Sequence, residues 1–307
     1  MLDKKSNFWA WMLIFVCFVW GIEFSLVHQA LNDLGPHSFN AVRFLIAAIT
    51  LQLYFQYKSF RWTENCNKNT FYHGIVLGSM LFAGFATQSI GLQYTSASIA
   101  GFITGLNVVF VPIVCFIWLR QTMPWYVWLG VLLATLGTAL LTGISSVDQM
   151  ISGHLRGELW VLLCAFSFAI HIVYTGIYTQ QANAYALTQV QMLTVTLLSL
   201  MAALVFEDRA IQTVWHALFV NSSGIAWLAL IIGGTLGTGL AYVAQTIGQQ
   251  YLAAWRVALI FATEPLFAAL GGYWLLSETL TTLAWLGAVL IIAGMLIAEL
   301  VGDSSAH

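Results

Sequence analysis

Residues 245–268 read QTIGQQYLAAWRVALIFATEPLFA, and residues 88–111 read QSIGLQYTSASIAGFITGLNVVFV. The match continues at a constant offset without gaps, so that Gln88 to Leu140 lies against Gln245 to Ile297 with about fifteen identities in fifty-three positions. Gln88/Gln245, Gly91/Gly248, Tyr94/Tyr251, Trp128/Trp285, Gly130/Gly287 and Gly137/Gly294 are among them. Some matches follow from shared apolar composition. What the repeat means depends on how many helices each copy holds.

Of the 307 residues, 60% are hydrophobic and 7% charged, where a soluble domain carries about 25% charged residues. A water-soluble surface cannot be built from that composition. Apolar stretches long enough to span a bilayer fall at 8–28, 38–57, 72–92, 97–119 and 125–143. After a polar stretch from Ile144 to Arg156, five more follow at 159–178, 187–206, 224–247, 252–276 and 282–300. The runs are continuous and lack the ten-residue alternation of membrane strands, so the expected fold is all-α integral membrane with ten transmembrane helices. Five is odd, so the two copies (8–143 and 157–300) enter the membrane from opposite sides as two inverted five-helix repeats. Such halves can exchange conformations, giving inward- and outward-facing states of similar energy around one central site.

With the amino terminus in the cytoplasm, Lys4, Lys5, Lys58, Arg61, Lys68 and Arg120 lie inside and Arg156 and Arg209 outside. The positive-inside rule thus predicts a multi-pass protein with both termini cytoplasmic. The first apolar stretch lacks a small-x-small cleavage signal and reads as a retained helix. Ten basic against twelve acidic residues, with no charge run, exclude a nucleic-acid binder. The four cysteines are far apart without Cys-x-x-Cys spacing and read as free thiols, and neither a metal site nor a cofactor is expected.

Trp20-Gly21, Arg43-Phe44, the segment Gly91 to Gly105 leading into Asn107, Glu264-Pro265, Glu278, Gly287 and Gly294 occur in that order along the chain. In this set the chain resembles the EamA family of the drug/metabolite transporter superfamily, ten-helix carriers built from two five-helix repeats. It departs from the family pattern with Asn107-Val108 where the second copy has Glu264-Pro265, and with Arg120-Gln121 where an acidic residue often closes the fourth helix. The resemblance implies a cytoplasmic-membrane carrier of small organic molecules, often an exporter.

A charge inside a bilayer costs about 2.5 to 3.5 kcal/mol on insertion scales, so each one needs a partner, a wet cavity or a function. Glu264 lies mid-helix, beyond the reach of either interface, and is the first candidate for binding substrate or a proton. The other reading is a protonated acid hydrogen-bonded between helices. Glu23 and Arg43 are placed to pair, as a fixed ion pair or as a substrate contact. Arg256 lies near a helix end and reads as snorkelling to the headgroups. Polar stripes at helical spacing run through Ser167, His171, Tyr174 and Tyr178, and through Thr235, Thr238, Tyr242 and Gln245. They face a pathway or act as interhelical glue, and His171 adds a group that can relay a proton. Asn107 is related by the repeat to Glu264 and should face the same axis at the same depth. Trp20 stacks on a substrate or packs in the core. Zinc-protease, phosphate-loop, nucleophile-elbow and dinucleotide motifs are missing from the sequence.

The expected function is secondary active transport of a small metabolite or drug-like molecule by alternating access, outward, with protons as the candidate coupling ion. An importer or facilitator of the same fold remains open, as does an integral-membrane enzyme using Glu23 with His171 on a lipid-linked substrate.

Overall fold

The computed structural model describes residues 4–57, 61–95, 97–142, 155–220, 224–275 and 281–304, and these contain helices and turns but no strand. Lys58, the 143–154 connection and Glu278 lie outside the described residues. The helices are α1 (Lys4–Ala30), α2 (Pro36–Tyr57), α3 (Lys68–Leu92), α4 (Ala97–Gly105), α5 (Asn107–Trp118) and α6 (Trp125–Leu141). Then come α7 (Leu155–Tyr178), α8 (Ala184–Phe206), α9 (Gly224–Gly248), α10 (Ala254–Phe261), α11 (Glu264–Leu275) and α12 (Thr282–Ser304). Among the described residues, seven helices are long and apolar enough to cross a membrane, with Ile99–Trp118 and Gly224–Gly248 each counted as one. Trp125–Leu141, Ala210–Val220 and Thr282–Ala298 are shorter apolar helices.

Three helix starts are capped by side chains that accept from their free N–H groups. Asn67 caps α3 by accepting from Thr70 N at 2.8 Å, and Asn183 caps α8 by accepting from Tyr185 N and Ala186 N at 3.0 and 3.2 Å. At the far end of α8, Glu207 caps the start of α2, accepting from His37 N at 2.6 Å and from the Ser38 hydroxyl.

Two of the stretches expected as continuous helices are interrupted, and at corresponding places. Between α4 and α5, Leu106 N bonds back to Ile103 O at 3.1 Å and Val109 N to Leu106 O at 2.9 Å. Between α10 and α11, Thr263 N bonds to Ile260 O at 3.0 Å and Leu266 N to Thr263 O at 3.1 Å. The offset that aligns Gln88 with Gln245 carries the first pair of bonds onto the second. The preceding turns also agree, Tyr94 N to Gly91 O and Tyr251 N to Gly248 O, both at 2.9 Å. In the second copy the interruption has a clear cause: Pro265 has no N–H for the Phe261 carbonyl, and the Thr263 hydroxyl donates to Ile260 O at 2.7 Å.

Helix α9 departs from α geometry over Gly233–Leu240, which forms π-helical turns. Four glycines in GGTLGTGL weaken the α preference there. They also open the surface, since a Cβ at Gly237 would overlap the Glu23 carboxylate.

Helices α6 and α12 cross backbone against backbone. A Cβ at Gly130 would come within 2.8 Å of Gly294 O, and one at Gly137 within 2.6 Å of Gly287 O and 2.8 Å of Ile291. The repeat equates Gly130 with Gly287 and Gly137 with Gly294. It therefore exchanges these two contacts, as a two-fold axis between antiparallel helices would. We expect Gly137→Ala to lower the unfolding midpoint in detergent, by the ~1–3 kcal/mol that overpacking costs. Gly105→Ala, whose added methyl would meet Thr138 at 3.8 Å, should not lower it. Equal midpoints for the two variants would mean that the crossing is not tight.

Candidate functional site

A cavity of about 660 Å3 of atom-free space, part of it continuous with the exterior, lies at the centre of the bundle. Helix α1 contributes Trp20, Glu23 and Val27, α2 Arg43, and α3 Phe85, Gln88 and Leu92. From the second copy come Phe168, His171 and Ile172 of α7, Tyr242 and Gln245 of α9, and Phe261 of α10. The two interrupted helices bring Thr104 and Asn107 on one side and Glu264 on the other. Asn107 and Glu264 are each the first residue of the helix after the interruption.

The charges are arranged unequally. Arg43 Nη2 lies 2.7 Å from Glu23 Oε1, with both side chains buried, and Arg43 Nε donates to Thr238 Oγ1 at 2.7 Å. The guanidinium stands 4.8 Å from the centre of the Phe85 ring, a cation–π contact on a third side. The glycines of α9 let Glu23 approach, and Trp20 Nε1 donates to Gly237 O at 2.6 Å in the same region. Arg43 is thus occupied by groups of the protein. Glu264, by contrast, takes no hydrogen bond or ion pair among the described residues, and the buried Asn107 Oδ1 likewise has no partner. Both residues line the one cavity, and an unpartnered carboxylate and amide oxygen there are binding capacity that the fold leaves unused.

His171 is buried, with Nε2 2.9 Å from Gln191 Oε1 and 3.4 Å from the Thr175 hydroxyl. Tyr242 packs edge-on against His171 and Phe85 and tilts over Trp20, and the Phe261 ring meets Trp20 edge-on at 4.9 Å. These rings form an aromatic part of the lining, interleaved with the polar groups. Gln245 Nε2 donates to Gln249 Oε1 at 3.1 Å.

Of the nine residues expected from sequence to line a pathway, eight meet in this one cavity: Trp20, Glu23, Arg43, Asn107, His171, Tyr242, Gln245 and Glu264. Tyr174 is not among its lining residues; it is half-buried beside the Trp118 and Tyr178 rings. Gln88, Thr104, Phe85, Phe168 and Phe261 line the cavity without having been singled out. For Gln88 a signal was present, because it is the repeat partner of Gln245 and inverting the repeat carries one onto the other. The phenylalanines carry no such signal, since apolar residues in an apolar helix read alike whether they face lipid or a cavity. Cys17, Cys115 and Cys164 are buried free thiols, and Cys66 is a half-buried one.

The model of the EamA-like transporter family matches residues 7–143 and, a second time, residues 155–300. The chain belongs to this family. An uncharacterized transporter of Archaeoglobus fulgidus is 30% identical over 288 residues, 94% of this chain and 84% of its own length. A WAT1-related chloroplastic protein of Arabidopsis thaliana is 26% identical over 298 residues, 95% of this chain and 69% of its own. A crystal structure 16% identical in sequence superposes with a TM-score of 0.77 over 98% of this chain and 99% of the other, a likeness of fold. Membership in the EamA family, with the transporter names of its relatives and the apolar helices, makes this a multi-pass membrane protein of transporter type rather than an enzyme.

Proposed function

We propose that this EamA-family protein is a secondary carrier of ten transmembrane helices in two inverted repeats, moving a small metabolite or drug-like molecule by alternating access, and outward. The observation that carries the reading is the pair of interrupted helices. They break at repeat-related positions with the same backbone bonds, and the first residues after the breaks, Asn107 and Glu264, both face the central cavity. Discontinuous helices meeting at mid-membrane are how many carriers expose polar groups to a substrate. The exchanged glycine contacts of α6 with α12 support the two-fold relation.

In this reading Glu264 takes a proton or a cationic group of the substrate, and Asn107 bonds to it from across the axis. Trp20 and Tyr242 supply the apolar wall, while His171, Gln245, Glu23 and Arg43 complete the polar lining. Tyr174 belongs to the route only where it leaves the cavity. The positive-inside bias supports both termini in the cytoplasm, and the family resemblance favours the cytoplasmic membrane. Export is the direction that the family resemblance favours. The driving force is a gradient of protons or of the substrate itself.

The test is a comparison of metabolites in medium and cytosol between cells overproducing the protein and cells with an empty vector. A compound enriched in the medium of the overproducer, and depleted inside, is expected. Enrichment inside the cells would reverse the direction. Identical profiles, repeated after loading the cells with candidate compounds, would count against export.

A further inference from the structure

A second cavity, about 740 Å3 of atom-free space partly open to the exterior, lies at the face of the bundle where α1 begins and α12 ends. It sits between the end of α5, the end of α7 and the turn from α9 to α10, and Cys115, Gln121, Gly176, Gln180, Gln249 and Gln250 are among its walls. It abuts the central cavity. Ile172 lines the central space and Val173 the second, while Gln245 lines the central space and Gln249, one helical turn on, the second. The wall between them contains an apolar layer, with Val173, Leu252 and Val257 in one buried cluster. It also contains a polar tie. The buried Gln249 donates Nε2 to Ile172 O at 2.7 Å and accepts at Oε1 from Gln245 Nε2 at 3.1 Å. One end of the amide thereby ties the end of α9 to α7 across the passage, while the other end is held in place by Gln245 of α9 itself.

The repeat sets Gln249 against Leu92, which lines the central cavity from its other end. Leu92 has no amide, and it is buried in an apolar cluster with Val27, Leu31, Leu34 and Ile103. The two ends of the central cavity are therefore lined by different chemistry, side-chain packing at one and a hydrogen-bonded amide at the other.

We propose that the second cavity is a vestibule for the transported molecule and that Gln249 is the latch between it and the central site. No charged side chain is among the vestibule's lining residues. The vestibule thus receives a polar molecule through groups that donate and accept hydrogen bonds, and such groups can take over the two bonds of Gln249 as it swings aside. The direction of passage rests on the carrier reading, whereas the latch does not.

The test uses the full chain with its four cysteines replaced, carrying either a Thr104→Cys reporter in the central cavity or a Gln180→Cys reporter at the vestibule mouth. Inside-out membrane vesicles are treated with a charged, membrane-impermeant methanethiosulfonate. Gln249→Leu should label the Thr104→Cys reporter about tenfold faster than the unmodified latch does, the gain expected when one or two net hydrogen bonds holding a closed state are lost. The Gln180→Cys reporter should label equally fast in both. Equal rates at the Thr104→Cys reporter, with Gln180→Cys labelling intact, would overturn the latch. Failure of Gln180→Cys to label in vesicles of either orientation would overturn the vestibule. Should Gln249→Leu fail to reach the membrane, Gln249→Asn, too short to span both bonds, is read by the same criteria. Labelling requires no substrate, so a failed latch and a failed carrier reading give separate results.

Discussion

Glu264→Gln should accumulate in the membrane at wild-type level and lose proton-dependent transport, a drop of two orders of magnitude or more in flux driven by a pH gradient. The substitution keeps the shape and the hydrogen-bonding capacity of the side chain and removes only its ability to carry charge and exchange a proton. It should leave the fold intact because Glu264 makes no ion pair or hydrogen bond among the described residues that the amide would break. A carboxylate in the membrane interior must be neutralised by a proton or a bound cation, and Glu264 has the cavity for both. Its repeat partner, Asn107, cannot titrate, so a single exchangeable site at this depth is expected. The double variant Asn107→Glu/Glu264→Asn exchanges the two side chains and should recover part of the pH dependence that Glu264→Gln lacks. Flux measured in proteoliposomes with an imposed pH gradient reads all three proteins. Unchanged pH-driven flux in Glu264→Gln would remove Glu264 from the mechanism. Loss in both variants would mean that the two positions are not equivalent.

The all-helical, membrane-spanning character was legible in the sequence because it rests on composition and run length, which need no tertiary information. The repeat was legible because glycines and aromatics in register survive where apolar residues have been exchanged freely. What sequence could not supply was the interruption of the two helices at Leu106 and at Ala262–Thr263. Pro265 marks the second, but Val108 stands at the corresponding place in the first copy, and only the shared backbone bonds reveal that the two breaks are the same. The π-helical turns of α9 were likewise hidden. Nothing near GGTLGTGL in the sequence explains its glycines, because the partner that needs the room, Glu23, is distant in the chain. The site was legible where chemistry was rare: Glu23, Arg43, His171 and Glu264 stand out in helices almost devoid of charge. Tyr174 was assigned to the pathway by helical spacing alone. That spacing fixes a face of α7, not how far along the face the cavity extends.

Arg43→Met should destabilise the folded protein by about 3–5 kcal/mol, because it leaves the Glu23 carboxylate buried without its counter-charge. Glu23 has no other cation within ion-pair distance among the described residues. Glu23→Gln should cost less, since the guanidinium keeps the Thr238 hydroxyl and the Phe85 ring. The double variant Arg43→Met/Glu23→Gln removes both charges at nearly constant volume. It should recover most of the loss, as replacing both members of a buried pair often does. Midpoints of thermal unfolding in detergent for the four proteins give the coupling as a double-mutant cycle, and additive losses would show that the two groups do not interact. Transport by the double variant then separates the two roles open to the pair. If the pair only shapes the packing of α1, α2 and α9, a protein that folds without it will still transport. If Arg43 leaves Glu23 to meet an anionic group of the substrate during the cycle, the double variant will be stable and inactive. Three groups already satisfy Arg43 in this conformation, so such an exchange would require the π-helical turns of α9 to release Thr238. The same glycines that admit the Glu23 carboxylate would then also permit the motion.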